Sequence, residues 1–350
     1  MNMNNKKYLI LNPKTTNQIS IYGLPYFETE RTYLRIQEKD YSLVNQLSES
    51  LAILTKNTAG CLVAFYAISN YFAIQVKGLK HFHMTHMAYT GQAGFDLYMG
   101  KDAFDLSFYQ TCKFNVSDET YYYTFFENLT QEKKLFVLYF PLYASIEELN
   151  LFFDDNALVE PCTNLFPKGR IVFYGTSITQ GGCASRPGMS YPSIISRKIQ
   201  YECINYGFSG NGKGQIEMAE LVAKIKDVKL FVLDYEANAD EDNLLQKTLE
   251  PFIKTIWSYH PMTPILVISK IMMSKEYHNQ NSNEKYRSLY LFQKRLIQAL
   301  QKENSNLFFL NGQKLLAPMY HEATVDGIHP TDLGFYQMAE KIVKKINQII

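Results

Sequence analysis

Residues 171–183 read Ile-Val-Phe-Tyr-Gly-Thr-Ser-Ile-Thr-Gln-Gly-Gly-Cys, and the rest of the chain can be interpreted from this stretch. Four apolar or aromatic residues run directly into Gly175-Thr176-Ser177, which is typical of a buried strand that ends in a tight turn. In an open parallel sheet, ligands bind at the carboxyl ends of the strands. Ser177 is therefore a candidate nucleophile, although a serine at this place also serves as a helix cap or a turn residue.

After residue 170, short apolar strands alternate with amphipathic helices. The predicted strands are Ile171–Tyr174, Cys203–Tyr206, Leu230–Asp234, Ile265–Ser269 and Leu307–Leu310. The predicted helices are Tyr191–Gln200, Gln215–Lys226, Leu244–Tyr259, Glu284–Lys302 and Asp332–Ile350. Apolar strands that are each followed by a helix predict an α/β fold, in which a doubly wound parallel sheet lies between helical layers as a three-layer α/β/α domain.

The first part of the chain is rich in short β-branched and aromatic runs and has hardly any helical periodicity. Its predicted strands are Ile19–Tyr22, Tyr33–Ile36, Leu62–Ile68, Tyr71–Val76, Phe95–Tyr98, Tyr121–Phe126 and Leu135–Phe140. The last two flank a polar connection, as the strands of a hairpin do. This spacing predicts an all-β, antiparallel, jelly-roll-like sandwich. The periodicity breaks down between residues 154 and 170, so we predict a sandwich domain at 1–160 and an α/β domain at 161–350.

Composition limits the classes of function. The chain has 350 residues and a formal net charge of +1, so no global field favours nucleic acid or an anionic membrane. Five scattered cysteines without C-x-x-C spacing indicate reduced thiols, with neither a disulfide framework nor a zinc site. No signal peptide or transmembrane run is evident, and the sequence therefore predicts a cytoplasmic location. The oligomeric state cannot be read from the sequence.

The loops that follow the second and third predicted strands carry groups suited to a reaction site. The second strand leads into Gly207-Phe208-Ser209-Gly210, where glycine allows a positive φ and lets a backbone N–H approach an anion. A nucleotide P-loop and the glycine triplet of dinucleotide-binding folds are both missing from the sequence. The third strand leads toward Asn238, whose neutral amide suits a developing oxyanion, although capping of a helix or turn is the alternative.

A carboxylate and an imidazole lie three residues apart just before the last helix, at Asp326 and His329. At this spacing on one turn the carboxylate can orient the imidazole and stabilise its protonated form. Taken separately, the two are also explained as a turn residue and a solvated loop histidine. Together they are candidates for the base of a serine nucleophile.

These blocks, in this order, resemble the SGNH (GDSL-like) hydrolases. Ser177, Gly210, Asn238 and the pair Asp326/His329 match the four blocks of the family, and the β-rich front resembles the branch with an amino-terminal β-sandwich. The resemblance implies a flavodoxin-like sheet, a Ser177-His329-Asp326 triad, and an oxyanion hole from Ser177, Gly210 and Asn238. Two departures stand out: Thr176 replaces the usual Asp of the first block, and Asp-Tyr-Glu-Ala-Asn replaces the usual Gly-x-Asn-Asp, which leaves Asn211 as a second candidate donor.

The family implies a serine esterase that hydrolyses short-chain esters and uses no cofactor. The expected acyl group is acetyl. O-acetylated carbohydrates are one candidate substrate class, and an acyltransferase or an inactive carbohydrate-binding protein are the alternatives. Arg186 follows the nucleophile turn and either lines the pocket or forms a structural ion pair. The histidines of His81-x-His83-x-x-His86 are expected to make ordinary hydrogen bonds rather than to bind a metal.

Overall fold

The structure is a computed structural model that describes residues 7–350, apart from the side chain of His321. The front half is built from short antiparallel strands. These are β1 (Tyr8–Leu11), β2 (Ser20–Tyr22), β3 (Leu62–Ile68), β4 (Tyr71–Lys77), β5 (Lys80–His81), β6 (Asp96–Gly100), β7 (Ser107–Thr111), β8 (Thr120–Glu127), β9 (Lys134–Tyr139), β10 (Ala144–Ser145), β11 (Glu148–Asp154) and β12 (Leu158–Pro161).

The front strands form two sheets that face each other. One has the order β1-β11-β4-β8, the other has the order β12-β3-β9-β6-β7 with β2 also paired to β3, and β5 pairs with β10 separately. Alternate residues of β3 and β4 enter one core, in which the rings of Phe65 and Phe72 lie 5.8 Å apart between the sheets. Alternation with a period of two places one face of each strand inside. The predicted β-sandwich is confirmed.

The predicted hairpin between residues 121 and 140 is wrong. Strand β8 pairs with β4 in one sheet, whereas β9 pairs with β3 and β6 in the other. The polar connection between them crosses from sheet to sheet, and the rings of Phe126 and Phe136 meet in the shared core at 6.0 Å. Both strands have an aromatic inner face, so stacking across the sandwich buries these rings where side-by-side pairing was expected.

Helices occur in the front half where the sequence indicated almost none. They are α1 (Phe27–Glu30), α2 (Tyr41–Leu47), α3 (Glu49–Thr55) and α4 (Tyr89–Ala93). Such short helices do not fill the window in which a period of 3.6 becomes visible. Helix α3 is capped by Ser48, whose hydroxyl accepts from the N–H of Leu51 at 3.2 Å. The strand predicted at residues 33–36 is not formed, and this segment contains Arg35, which is completely buried.

The back half alternates strands and helices as predicted, and it has two short helices, at residues 177–180 and 274–278, that the sequence did not predict. Its strands are β13 (Arg170–Gly175), β14 (Glu202–Gly207), β15 (Val228–Asp234), β16 (Ile265–Ile268) and β17 (Leu307–Leu310). Its helices are α5 (Ser177–Gln180), α6 (Tyr191–Ile199), α7 (Ile216–Ala223), α8 (Leu244–Tyr259), α9 (Ser274–His278), α10 (Gln280–Leu300) and α11 (Asp332–Ile346). All neighbouring strands are parallel and follow the order β14-β13-β15-β16-β17.

Helices cover both faces of this parallel sheet. Val172 of β13 packs in one core with residues of α7, α8 and α10, whereas Ile171 and Phe173 pack in a second core with residues of α6 and α11. The three-layer α/β/α arrangement is therefore confirmed, and its strand order is that of flavodoxin-like sheets. In such an order the sequence of strands reverses at the first strand, with β14 on one side of β13 and β15 on the other, and ligands bind outside its carboxyl end. That end is Gly175, two residues before Ser177.

Candidate active site

The nucleophile candidate is held at a sharp turn between β13 and α5. A Cβ atom on Gly175 would lie 2.0 Å from Thr179 Oγ1 and 2.6 Å from the Asp234 carbonyl oxygen, so only glycine fits there. Thr176 caps α5, because its hydroxyl accepts from the N–H of Ile178 at 3.2 Å. The threonine that replaces the expected aspartate thus still has a capping partner. Ser177 begins α5 and is 8% exposed.

A tight loop in front of α11 holds the histidine and the aspartate. The backbone N–H of Val325 donates to the carbonyl oxygen of His329 at 2.8 Å, which closes the loop. One carboxylate oxygen of Asp326 accepts from the N–H groups of Ile328 at 3.0 Å and His329 at 2.8 Å. The other lies 2.8 Å from His329 Nδ1. Asp326 therefore fixes both the loop and the imidazole ring that the loop carries.

Ser177 and His329 meet although 152 positions separate them in the chain, with Ser177 Oγ 2.9 Å from His329 Nε2. The contacts Ser177–His329 and His329–Asp326 form one continuous chain of hydrogen bonds. Burial alone would raise the pKa of Asp326, but hydrogen bonds from the His329 N–H, the His329 ring and the Ile328 N–H outweigh it and lower the pKa. The carboxylate is therefore ionised at neutral pH. This geometry allows His329 to accept the hydroxyl proton of Ser177.

The glycine loop after β14 is held from behind by a buried glutamine. Gln180, the last residue of α5, is 0% exposed, and its side-chain oxygen accepts from the N–H of Ser209 at 2.9 Å. The following residue, Gly210, has φ +67°, and no atom lies within 4 Å of the position that a Cβ would take. One side of Gly210 is thus open. The loop is attached to the same short helix that begins with Ser177.

Asn238 follows β15 and contacts the same loop. In the amide orientation that satisfies its neighbours, its side-chain oxygen accepts from the N–H groups of Gly210 at 3.2 Å and of Asn211 and Gly212 at 3.3 Å. The structure therefore brings Asn238 to the predicted oxyanion loop, and in the free protein it bonds the N–H of Gly210. Its amide nitrogen is then available for another acceptor.

Asn211, the second candidate donor, is engaged elsewhere. Its side-chain oxygen accepts from the hydroxyls of Ser48 and Ser50, each at 3.0 Å, and its amide nitrogen donates to the carbonyl oxygen of Ser209 at 3.0 Å. Asn211 therefore ties the start of α3 in the front half to the glycine loop of the back half. These bonds favour Asn238 over Asn211 as an oxyanion donor.

Arg35 supports the glycine loop from the front half, and sequence reasoning missed it. Its guanidinium is 0% exposed and donates to the carbonyl oxygens of Asn205 at 2.9 Å, Gly207 at 2.7 Å and Leu54 at 2.6 Å. It also lies 4.4 Å from the ring centre of Phe208. Burial lowers the pKa of Arg35 to about 9, yet a guanidinium remains charged at neutral pH. The arginine thereby fixes the exit of β14.

The three clustered histidines do not converge on one point. His81 contacts the carbonyl oxygens of Phe82 at 2.9 Å and Val116 at 3.1 Å, and its ring lies 4.6 Å from that of His83. His86 separates from them and its ring lies 5.6 Å from that of His329, a proximity that the sequence spacing did not indicate. The signal for it exists only in three dimensions.

One group of side chains has the composition of a metal site. Ligand atoms of His86, Cys183, Asp326 and His329 lie within 4.8 Å of one another. Burial raises the pKa of the Cys183 thiol to about 12, which keeps it protonated and makes it a weak ligand at neutral pH. The other members include both partners of the Ser177 hydroxyl relay, so a cation there would compete with the Ser177–His329 hydrogen bond.

Arg186 forms a structural ion pair. It donates to the buried carboxylate of Asp96 at 2.8 Å and to the hydroxyl of Tyr98 at 2.7 Å. Asp96 also accepts from the N–H of Gly188 at 2.9 Å. Burial raises the pKa of Asp96 despite the opposing charge of Arg186. This pair joins strand β6 of the front half to the loop that follows the nucleophile.

Two family models match separate parts of the chain. The model of the GDSL-like lipase/acylhydrolase family matches residues 168–347, about half of the chain. The chain belongs to this family. A second model, GxDLY, described as the N-terminus of Esterase_SGNH_hydro-type, matches residues 9–159. This GDSL-like hydrolase carries that pattern as Gly94-Phe95-Asp96-Leu97-Tyr98, and the Asp and Tyr of the pattern are the partners of Arg186.

Solved structures resemble this GDSL-like hydrolase over its whole length. A protein from Bacteroides ovatus ATCC 8483 described as a GDSL-like lipase has a TM-score of 0.88 at 29% identity over 98% of each chain. The salicylyl-acyltransferase SsfX3 of a tetracycline biosynthetic pathway has a TM-score of 0.79 at 17% identity over 97% of each chain. A family two carbohydrate esterase from Cellvibrio japonicus has a TM-score of 0.60 at 11% identity over 98% of each chain. The last two are similar in fold alone.

A comparison with curated proteins gave no match. Within residues 7–350, the GDSL-like hydrolase has no helix that combines the length and the apolar character needed to cross a bilayer. The family and the related structures identify the chain as an enzyme that acts on ester bonds.

Proposed function

We propose that the protein is a serine esterase in which Ser177, His329 and Asp326 form the catalytic triad. The observation that carries the proposal is the unbroken relay of 2.9 Å from Ser177 Oγ to His329 Nε2 and 2.8 Å from His329 Nδ1 to Asp326. Ser177 comes from the turn that begins α5, and His329 and Asp326 come from one loop in front of α11 that is held by its backbone contacts. The low pKa of Asp326 keeps a negative charge beside the ring that becomes an imidazolium.

The reaction proceeds in two halves. Ser177 Oγ attacks the ester carbonyl carbon while His329 takes its proton, and the carbonyl π electrons move onto oxygen. The intermediate collapses, His329 returns the proton to the leaving alcohol, and an acyl-Ser177 remains. Water, deprotonated by His329, then attacks the acyl group and releases the acid and free Ser177. No step requires a metal or an organic cofactor.

The developing oxyanion is proposed to be received by the backbone N–H groups of Ser177 and Gly210 and by the amide of Asn238. Gly210 is open on one side, and Gln180 and Arg35 hold its loop against the nucleophile helix and strand. The side-chain oxygen of Asn238 gathers the loop N–H groups, which leaves its amide nitrogen as the proposed donor. In the free protein the Gly210 N–H donates to the Asn238 side-chain oxygen, so this bond is exchanged for one to the oxyanion when charge develops, while Gln180 and Arg35 keep the loop itself in place.

The proposed substrates are small-molecule or carbohydrate esters with a short acyl chain, acetyl being the sequence-based expectation. The family and the fold shared with family two carbohydrate esterases support this class. A cytoplasmic location and the division at residues 160/161 remain predictions from the sequence. The second candidate function is acyl transfer with the same triad, which is favoured by the full-length similarity in fold to a salicylyl-acyltransferase.

The decisive experiment measures hydrolysis of p-nitrophenyl acetate by the wild type and by Ser177→Ala. Removing the nucleophile is expected to lower kcat by several orders of magnitude, with an unchanged melting temperature. Ser193→Ala is the matched control, because Ser193 is also a buried serine, but its hydroxyl accepts from that of Ser190, the N-cap residue of α6, at 2.8 Å. Equal turnover by wild type and Ser177→Ala would refute the proposal. A fluorophosphonate that fails to label Ser177 would favour a binding protein, and ester products formed with an added alcohol would favour the transferase.

A further inference from the structure

An apolar cavity lies where the front half meets the glycine loop. Its volume is about 160 Å³, comparable with the engineered cavity of about 150 Å³ that binds benzene. The lining residues come from helix α3, from the segment after β5, from Tyr143 and from the glycine loop; they are Ser50, Ile53, Leu54, Phe82, Met84, Tyr143, Ser209 and Asn211. The front half thus provides most of its walls.

The cavity adjoins the proposed reaction centre through two of its walls. The hydroxyl of Tyr143 donates to the backbone carbonyl oxygen of Ser177 at 3.3 Å. Ser209 and Asn211 are the two chain neighbours of Gly210, the proposed oxyanion donor. A group placed in the cavity is therefore close both to the backbone of the nucleophile and to the oxyanion loop.

The position of the cavity relative to His329 and Gly210 determines which part of an ester the cavity can hold. The leaving oxygen must face His329 to receive the proton, and the carbonyl oxygen must face Gly210. The third substituent of the tetrahedral carbon, the acyl chain, must then point away from His329. In the part of the chain that the structure describes, the cavity is lined by neighbours of Gly210 and not by His329, Asp326 or His86.

We propose that this cavity is the acyl-binding pocket and that it selects a compact apolar acyl group, phenyl-sized or an alkyl chain of about six carbons. The proposal rests on the proposed esterase function and changes one part of it, since an acetyl group leaves most of the cavity empty. The aliphatic and aromatic walls, Ile53, Leu54, Phe82 and Met84, gain from each methylene that enters. The front half thereby sets the specificity of the enzyme.

Burial of one methylene corresponds to about a fourfold change in an equilibrium or rate constant. Hexanoate carries four more methylenes than acetate, so full burial of its chain is expected to raise kcat/KM for p-nitrophenyl hexanoate above that for the acetate by up to about 250-fold. Benzoate is expected to exceed acetate as well. Decanoate, whose acyl chain has more carbons than the about six that fit the cavity volume, is expected to fall below hexanoate.

The test compares p-nitrophenyl acetate, hexanoate, decanoate and benzoate with wild type and Ile53→Trp. Ile53 lines the cavity and is 43% exposed, so the larger ring can be accommodated without disturbing a core. The variant is expected to lose at least tenfold in kcat/KM for hexanoate and benzoate relative to its kcat/KM for acetate. Leu43→Trp is the matched control, since Leu43 is an exposed apolar residue of the neighbouring helix α2, 38% exposed and outside the cavity lining.

A second variant, Ile53→Ala, widens the pocket and is expected to move the optimum toward longer chains. Two results would overturn the inference and leave the esterase intact: a wild-type preference for acetate, or an equal loss on all four esters in Ile53→Trp. The absence of ester hydrolysis in the wild type, together with no labelling of Ser177 by a fluorophosphonate, would instead remove the proposed function and the pocket with it.

Discussion

Replacing Asp326 with Asn tests the triad while leaving its loop intact. Asp326 has two separate duties, because one carboxylate oxygen accepts the N–H groups of Ile328 and His329 and the other faces His329 Nδ1. An asparagine can keep its single oxygen on the two backbone donors. Its NH₂ group then faces Nδ1, so Nδ1 must become an acceptor and the ring proton moves to Nε2. In that tautomer His329 cannot accept the proton of Ser177.

The loss is therefore electrostatic and tautomeric rather than structural. In a trypsin-type triad the same change lowers kcat about 10⁴-fold, which corresponds to about 5 kcal/mol of transition-state stabilisation. We expect a loss of this order in Asp326→Asn, with the free energy of unfolding changed by less than about 0.5 kcal/mol, the scale of a substitution that keeps its contacts. Asp326→Ala removes both sets of contacts, and it is expected to lose as much activity and, in addition, about 1 kcal/mol of stability.

The assay is kcat for the best p-nitrophenyl ester at pH 7.5, with urea unfolding of each variant. The two variants should be equally inactive but differ in their urea midpoints. If Asp326→Asn kept more than a tenth of the wild-type kcat while folded, the carboxylate would have no role in orienting His329 and the relay described here would be incorrect.

Three further predictions concern Asp234, metal ions and the Cys183 thiol. Burial raises the pKa of Asp234 to about 6, so the stability that this group contributes is complete below its unfolded pKa and is lost as pH rises through 6. Asp234→Asn is therefore expected to raise the melting temperature at pH 8, where the ionised group costs about 3 kcal/mol, and to raise it much less at pH 4.5; an equal gain at both pH values would contradict this. EDTA at pH 7 is expected to leave ester hydrolysis unchanged, since no proposed step uses a metal; a loss that Zn²⁺ restores would assign the His86–Cys183 group to catalysis. Iodoacetamide is also expected to leave ester hydrolysis unchanged, because the high pKa of the buried Cys183 thiol leaves little thiolate.

The α/β half could be predicted closely because its strands are short, uniformly apolar runs. Two predicted elements, Leu244–Tyr259 and Leu307–Leu310, have the bounds seen in the structure. Other predicted elements, among them strand β13 and helix α6, differ at their ends by one residue or a few. A strand that is buried on both faces of a parallel sheet is a continuous apolar run, and this pattern can be recognised without knowing which strands pair with it. Pairing in the front half depends on neighbours, and so the hairpin at residues 121–140 was predicted wrongly although both strands exist.

The residues of the candidate site could be predicted from the sequence, whereas the residues that support them could not. Ser177, Gly210, Asn238 and the pair Asp326/His329 could be placed from the sequence because each follows a strand or precedes a helix. The structure brings Ser177 to His329 and Asn238 to Gly210. Their supports could not be placed, because they act through contacts between distant segments.

Arg35 is the clearest of these supports, since it lies in a segment predicted as an ordinary strand and contacts carbonyl groups 170 and 172 positions further along. Side-chain donation to a carbonyl group leaves no pattern in the sequence, because every residue offers that acceptor. The proximity of His86 to His329 was missed for a related reason, because it depends on contact between segments that lie far apart in the chain.

The guanidinium of Arg35 also limits which β-sandwich domains can be combined with a given α/β domain in chimeric enzymes. A β-sandwich transplanted from a relative would have to present a cation at the same depth, or two carbonyl oxygens of the back half, those of Asn205 and Gly207, would be left in a dry interior without their donor. Recombination at the junction between the halves would therefore first damage the loop beside the nucleophile rather than the overall fold. Chimeras intended to acquire a new acyl preference should carry this arginine and the segment around it as one inherited unit.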